Sequence, residues 1–231
     1  MNAQRIGKAI APLLLLVAIA VFAQWQQDDR PAREATAVPD RSSRAAAEFD
    51  YFLVALSWSP TWCESHPQDT EQCGRRGFGF ILHGLWPQFQ RGGGPQDCAF
   101  LQRPDRATIE RTLAFMPSRS LIEHQWRAHG ACSGLDPDDY FSLADRAYAA
   151  IRIPAVMSEP STVSLHADEL RRAFVDANPG IAADGLAIIC HSGKLAEVRI
   201  CVDDELKPRS CGRGVRMQCP REKEVRIPRV R

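Results

Sequence analysis

The chain has 231 residues, of which 45% are apolar and 25% charged. That is a globular composition, long enough for one domain with a sizeable core. Its 29 Lys and Arg residues nearly balance 28 Asp and Glu, for a formal net charge of +1. No global basic field is therefore available to gather nucleic acid, and any RNA binding must rest on a local site.

In chain order, residues 1–23 read as a signal peptide. Arg5 and Lys8 make a positive start, and Ala9 to Ala23 is an apolar run broken by Pro12 and short for a membrane span. Val21-Phe22-Ala23 offers a cleavage site, with an uncleaved amino-terminal anchor as the alternative. Residues 24–48 are polar with no steady apolar period, which fits a flexible linker. The folded domain is expected over residues 49–231. Tyr51 to Trp58 has the composition of a buried strand, ended by Ser59-Pro60, and Cys63 and Cys73 bracket a polar loop. Phe78, Phe80 and Leu82 alternate with Gly79, Ile81 and His83, which predicts a strand ending at His83. Gly84 permits a sharp turn there, and Pro87 stops further pairing. Arg91 to Pro95 is a loop, and Asp105 to Met116 has helical spacing with Ile109, Leu113 and Phe115 as core candidates.

Leu121 to Cys132 predicts a helix capped by Ser120 and stopped by Gly130. Gln125 and His129 share one face of it, and His124 and Ala128 the neighbouring face. Asp136-Pro137 is a cap followed by proline in the first turn, opening a helix whose apolar stripe is Tyr140, Phe141, Leu143, Ala144, Ala147 and Tyr148. Ser164 to Asn178 predicts a further helix with Leu170, Phe174 and Val175 facing in. Leu186 to Cys190 and Glu197 to Val202 predict two strands with Ser192-Gly193 in the turn between. The arginine-rich stretch from Lys207 to Arg231 is either a solvated tail or a track for an RNA backbone. No internal repeat is present.

Eight cysteines behind a signal peptide imply an oxidising compartment and four disulfides. Their spacing alone leaves 105 pairings open. The paired Cys-x-x-Cys signature of a zinc ribbon is absent. His124 and His129 are five apart, whereas a His-Glu-x-x-His zinc site needs rings four apart and a glutamate between them. Each histidine alone fits ordinary packing and hydrogen bonding. Together with His83, they also fit acid–base chemistry, because one imidazole can start neutral and another charged near neutral pH.

His83-Gly84-Leu85-Trp86-Pro87, followed further on by His124-x-Trp126-x-x-His129-Gly130-x-Cys132, resembles the two catalytic segments of the T2 family of ribonucleases. The likeness continues in Ala177-Asn178-Pro179-Gly180 and in Glu197 to Cys201, as in bacterial members. It implies an α+β fold, with an antiparallel β-sheet flanked by several α-helices and stapled by disulfides. The implied pairs are Cys63–Cys73, Cys98–Cys132, Cys190–Cys219 and Cys201–Cys211. It also implies a metal-independent endoribonuclease with no cofactor, which makes a 2′,3′-cyclic phosphate and opens it to a 3′-phosphate. In that scheme His129 is the general base, His83 the general acid and His124 the phosphate holder. Gln125 assists at the phosphate, and Trp86 either stacks on a nucleobase or is a core tryptophan. The partner is RNA, the protein is a monomer without a stable membrane partner unless the signal stays uncleaved, and its location is periplasmic or secreted.

The chain departs from the family pattern at two positions. Members commonly carry glutamate where this chain has Gln125, and lysine where it has Ala128. Gln125 still donates a hydrogen bond but exchanges no proton, and Ala128 contributes neither donor nor charge. Gln88 follows Trp86-Pro87 where some relatives have an acidic residue that helps choose the base. Besides an active enzyme of reduced rate, a non-catalytic RNA-binding relative and a disulfide-stabilised protein of unrelated function therefore stay open.

Overall fold

The computed structural model describes residues 48–100, 102–219 and 223–230. The expected signal peptide, and the expected linker except for Glu48, lie outside the described residues. Strand β1 (Tyr51–Trp58) is the first strand, and all of it except Ser57 is buried. Its alternation serves two faces: Phe52, Val54, Leu56 and Trp58 enter the main core, while Tyr51 and Leu53 join Cys201 in a smaller cluster. Ser59-Pro60 ends the strand as expected, but by opening a helix, α1 (Ser59–Ser65), with proline in its first turn. A second short helix, α2 (Thr70–Cys73), is capped by Asp69, whose side chain accepts from the Gln72 N–H. The segment predicted as a polar loop is thus two helical turns joined by the Cys63–Cys73 disulfide.

Strand β2 (Phe80–Gln88) does not end at His83. It pairs antiparallel with β1 along its whole length, through Gly84 and Pro87. Leu56 pairs with Leu82 and Ala55 with Gly84, so His83 is an extra residue in β2, a β-bulge. The bulge shifts the alternation by one. Leu82 and Leu85, three apart, are both fully buried in the main core, and Trp86 packs against the Tyr51–Leu53–Cys201 cluster on the other face. Pro87 is tolerated because β2 is the sheet's edge and the missing N–H costs no second ladder.

The remaining strands are β3 (Val163–His166), β4 (Leu186–His191), β5 (Lys194–Val202) and β6 (Glu224–Ile227). The order is β2-β1-β5-β6-β3, with β4 also on β5. All pairings are antiparallel except the single Lys194–Arg226 contact between β5 and β6. The β4–β5 turn has positive φ at Ser192 and Gly193, as a tight hairpin requires.

Two expectations fail here. Residues 164–166 are strand rather than helix, and helix α6 (Ala167–Ala177) follows, with the His166 N–H held by the Glu169 side chain. The arginine-rich end is not a solvated tail, because Val225 and Ile227 are buried in β6, paired with β3, and Trp58 donates to the Pro228 carbonyl. Alternation in Glu-Val-Arg-Ile carries that strand beneath a charged composition.

The other helices are α3 (Arg106–Thr112), α4 (Arg119–Ala128) and α5 (Pro137–Ala149). Asp105 and Asp136 cap α3 and α5. Helix α4 is capped by Ser118, whose Oγ accepts from Leu121 N at 3.2 Å, rather than by Ser120. It closes at His129 and runs into a 3₁₀ turn, Gly130–Cys132. Four disulfides staple the domain: Cys63–Cys73, Cys98–Cys132, Cys190–Cys219 and Cys201–Cys211, the same pairs that the resemblance implies. Among the described residues, no helix is long and apolar enough to cross a membrane.

Candidate active site

The candidate site lies on the sheet face opposite the main core. Along β5, Val198, Ile200 and Val202 enter the core, which sends Glu197 and Arg199 to the other side. The register sets Arg199 beside Ala55, Ala55 beside Gly84, Glu197 beside Ser57, and Leu53 beside Trp86. Ala55 and Gly84 are small, so this row leaves room for large side chains above it. Gly84 has to be glycine: a Cβ there would lie 2.1 Å from the Trp86 Nε1 and 2.3 Å from the Gln125 Oε1.

Helix α4 brings its end over this face. Ile122 and Trp126 anchor it in the core. Gly130 lets it close tightly, since a Cβ would meet Trp126 and Tyr140 within 3 Å. The Tyr140 hydroxyl in turn donates to the Leu85 carbonyl of β2 at 2.7 Å. The Ala128 carbonyl accepts from Asp97 N at 3.0 Å, and the adjoining Cys98–Cys132 disulfide locks the same loop to the helix end. The separation of the His83 strand from the end carrying His129 is therefore fixed by buried packing on one side and a covalent tie on the other.

Trp86 is where the two segments meet. Its ring centroid is 5.2 Å from that of His83 and 5.1 Å from that of His129. Its indole N–H donates to Gln125 Oε1 at 2.7 Å. The Arg199 guanidinium sits 5.5 Å over the same ring. Trp86 is half-buried, neither a core tryptophan nor a free platform. His83, Trp86, Gln125 and His129 are thus brought together as expected. His124 is exposed on α4 but close enough to act on the charge of His129. Ala128 is buried, and Gln125 is 1% exposed.

The two imidazoles sit in opposite surroundings. Burial, helped by the neighbouring His124 and His83, pushes His129 down from 6.5 to about 4, with Asp97 opposing. Its buried Nδ1 has no hydrogen-bond partner among the described residues, so a second proton finds no acceptor there. His83, by contrast, has its Nδ1 2.5 Å from Glu197 Oε1. Burial alone would raise the Glu197 carboxyl, but the hydrogen bond and charge of His83, with Arg199, hold it below its ordinary value. One ring is thereby kept neutral and the other faces an anion, a difference in surroundings of the kind that can divide acid and base work between two groups. Among the described residues, no group of three His, Cys, Asp or Glu side chains is arranged to hold a metal ion.

A model of the Ribonuclease T2 family matches residues 49–211. The chain belongs to the ribonuclease T2 family. A ribonuclease of Aeromonas hydrophila is 50% identical over 99 residues, 43% of this chain and 45% of that protein. A probable ribonuclease of Haemophilus influenzae is 30% identical over 125 residues, 48% of this chain and 46% of that one. The chain spans about half the length of these curated relatives. Among solved structures, the RNase-related protein from Calystegia sepium superimposes with a TM-score of 0.63 at 26% identity, covering 78% of this chain and 98% of that one. The fold is therefore that of T2 ribonucleases.

Sequence reasoning placed Glu197 and Arg199 in a segment of the family likeness but gave them no role at the site, and it missed Asp97. The signal for the first two lay in the predicted strand Glu197 to Val202, where two charges alternate with three core aliphatics. An apolar strand with charges on one face either meets solvent or builds a site, and the sequence alone does not choose. Asp97 had no pattern to mark it, being placed by the disulfide at Cys98.

Proposed function

We propose that this protein is an endoribonuclease that cleaves RNA by transphosphorylation without a metal ion or other cofactor. The carrying observation is the pair of imidazoles braced on Trp86 in opposite electrostatic surroundings. His129, neutral near pH 7, takes the proton of the RNA 2′-hydroxyl. That oxygen attacks phosphorus, and the bond to the 5′-oxygen breaks as His83 protonates it. The product is a 2′,3′-cyclic phosphate, which water opens to a 3′-phosphate with the two roles reversed. His124, exposed beside His129, holds the phosphate. Gln125 has its carbonyl committed to Trp86, so its amide N–H₂ is what it offers a phosphoryl oxygen. The exposed part of the Trp86 ring stacks a nucleobase, a contact worth about 1–3 kcal/mol per base.

Four disulfides support an oxidising location, periplasmic or secreted, with residues 1–23 as signal peptide and 24–48 as linker. The uncharged Gln125 and Ala128 favour a second reading, a relative that binds RNA and cleaves it weakly or not at all. Incubating mixed-sequence RNA with the oxidised protein in EDTA separates the two. Cyclic ends that vanish in His83→Ala and His129→Ala support the enzyme, and an inert wild type that retains RNA supports the binder.

A further inference from the structure

We propose that Glu197, clamped by Arg199, is the positioning residue of His83. It fixes a proton on Nδ1 and so reserves Nε2 for the leaving oxygen of the substrate. The inference rests on the acid–base reading above and extends it to two residues on β5. The geometry is a directed chain. Arg199 donates from Nε at 2.9 Å and from Nη2 at 2.8 Å to Glu197 Oε2. The other carboxylate oxygen, Oε1, faces His83 Nδ1 at 2.5 Å and accepts from Ser57 Oγ at 3.4 Å. The Glu197 side chain is 12% exposed and that of Arg199 24%, so water competes little for these bonds.

Guanidinium has only donors and an ionised carboxylate only acceptors, so the direction of every bond is forced. Nδ1 must carry the hydrogen. Nε2 then bears the second proton in the charged ring or a lone pair in the neutral one. As the O2′–P bond forms and the P–O5′ bond breaks, His129 gains the proton of O2′ and His83 Nε2 passes its own to O5′. Glu197 neither gains nor loses a proton. The charged and titratable groups facing His83 are Glu197 and Arg199 from β5 and His129 from the end of α4, with His124 and Asp97 beyond it.

The test is Glu197→Gln in the full, oxidised chain. Arg199 can only donate, so it keeps the amide oxygen, and the amide –NH₂ turns toward Nδ1. A donor there holds the Nδ1 lone pair, which leaves the neutral ring protonated on Nε2 and opposes the doubly protonated, charged ring that delivers a proton to O5′. Nitrogen NMR of the neutral His83 ring is expected to show the Nδ1–H tautomer in the wild type and Nε2–H in the variant. Transphosphorylation of a dinucleoside monophosphate is expected to fall by about 10- to 100-fold. A nitrophenyl 3′-phosphodiester of a nucleoside needs no proton on its leaving group and is expected to slow less than about 3-fold.

Adding Arg199→Leu to the variant frees the amide to turn its oxygen back to Nδ1, and part of the lost rate returns. An unchanged tautomer overturns the proposal, as does equal slowing of both substrates, the mark of a merely structural role. If the wild type cleaves neither substrate, the acid–base reading fails by itself, and the tautomer experiment still decides whether Glu197 sets the proton of His83.

Discussion

The strongest consequence of the site is the position of its acidic pH limb. In the proposed mechanism His129 acts as a base only when neutral, and its burial beside His124 and His83 holds it at about 4 instead of 6.5. Activity governed by this group is present above that pH and lost as pH falls through it. At pH 5 the ring is about 90% neutral, where an unperturbed imidazole would be about 3% neutral. The free enzyme therefore keeps about 30-fold more working base than an ordinary histidine would supply. Bound substrate adds a phosphate anion beside His129 and favours its protonated form, so the limb of kcat lies at higher pH than that of kcat/KM. The same depression makes folding pH-dependent. Between about 4 and 6.5 the unfolded chain binds more protons at this residue than the native one, so stability rises with pH through that window. Initial rates on a dinucleoside monophosphate from pH 3.5 to 8, at constant ionic strength, measure both kinetic limbs. A kcat/KM limb at or above pH 6, or the same limb in His129→Gln, would refute the reasoning.

Three further outcomes follow from the packing. Gly84→Ala must break the 2.7 Å bond between Trp86 and Gln125, because its Cβ falls 2.1 Å from the indole nitrogen. An overpacking loss of about 1–3 kcal/mol in chemical denaturation is expected, with RNA cleavage impaired more than stability; an unchanged denaturation midpoint would contradict it. Replacing both Cys98 and Cys132 by serine opens a loop spanning 34 residues of sequence separation, which loop entropy values at about 4 kcal/mol. That variant should melt earlier and lose turnover, and a melting temperature equal to the wild type would show that the tie is dispensable. Gln125→Glu alone should lower stability, whereas Gln125→Glu with Ala128→Lys should recover it and raise kcat; the comparison is made by thermal melts and RNA kinetics on all three proteins.

Much of this molecule could be read from its residues, and the misses have physical causes. The caps Asp105 and Asp136, the hairpin turn at Ser192-Gly193 and the core stripe of α5 rest on local chemistry, which short-range patterns report. The sequence pattern ends β2 too early because Gly84 and Pro87 usually interrupt strands. Here an edge position accepts the proline, and the bulge at His83 absorbs the phase change that the glycine suggested. Strands β3 and β6 depend on each other, 163–166 against 224–227, and neither short segment declares a partner so distant in sequence. The two histidine segments were recognisable because each is contiguous. Glu197 and Arg199 lay in a recognised segment, but their place beside His83 was not legible, because it comes from the register of β5 against β1 and from the bulge at His83.

The two departures from the family pattern are better understood as one. Gln125 is almost wholly buried and accepts a hydrogen bond from Trp86, a task that a glutamate could perform equally well. A glutamate, however, would bring a charge into that buried position, and such a charge is tolerated only with a close counter-charge. The family's lysine lies three residues further along the same helix, within reach on its surface. Here that position is Ala128, so a lone glutamate would be stranded, and a lone lysine would add a cation beside His129, whose charged form is already disfavoured. Losing both charges keeps the net charge at this end of α4 unchanged and preserves the bond that positions Trp86. In the proposed reaction, what is lost is a cationic donor near the phosphate, a transition-state contact. On the proposed function, the substitutions are expected to lower kcat more than they disturb the fold or the binding of RNA.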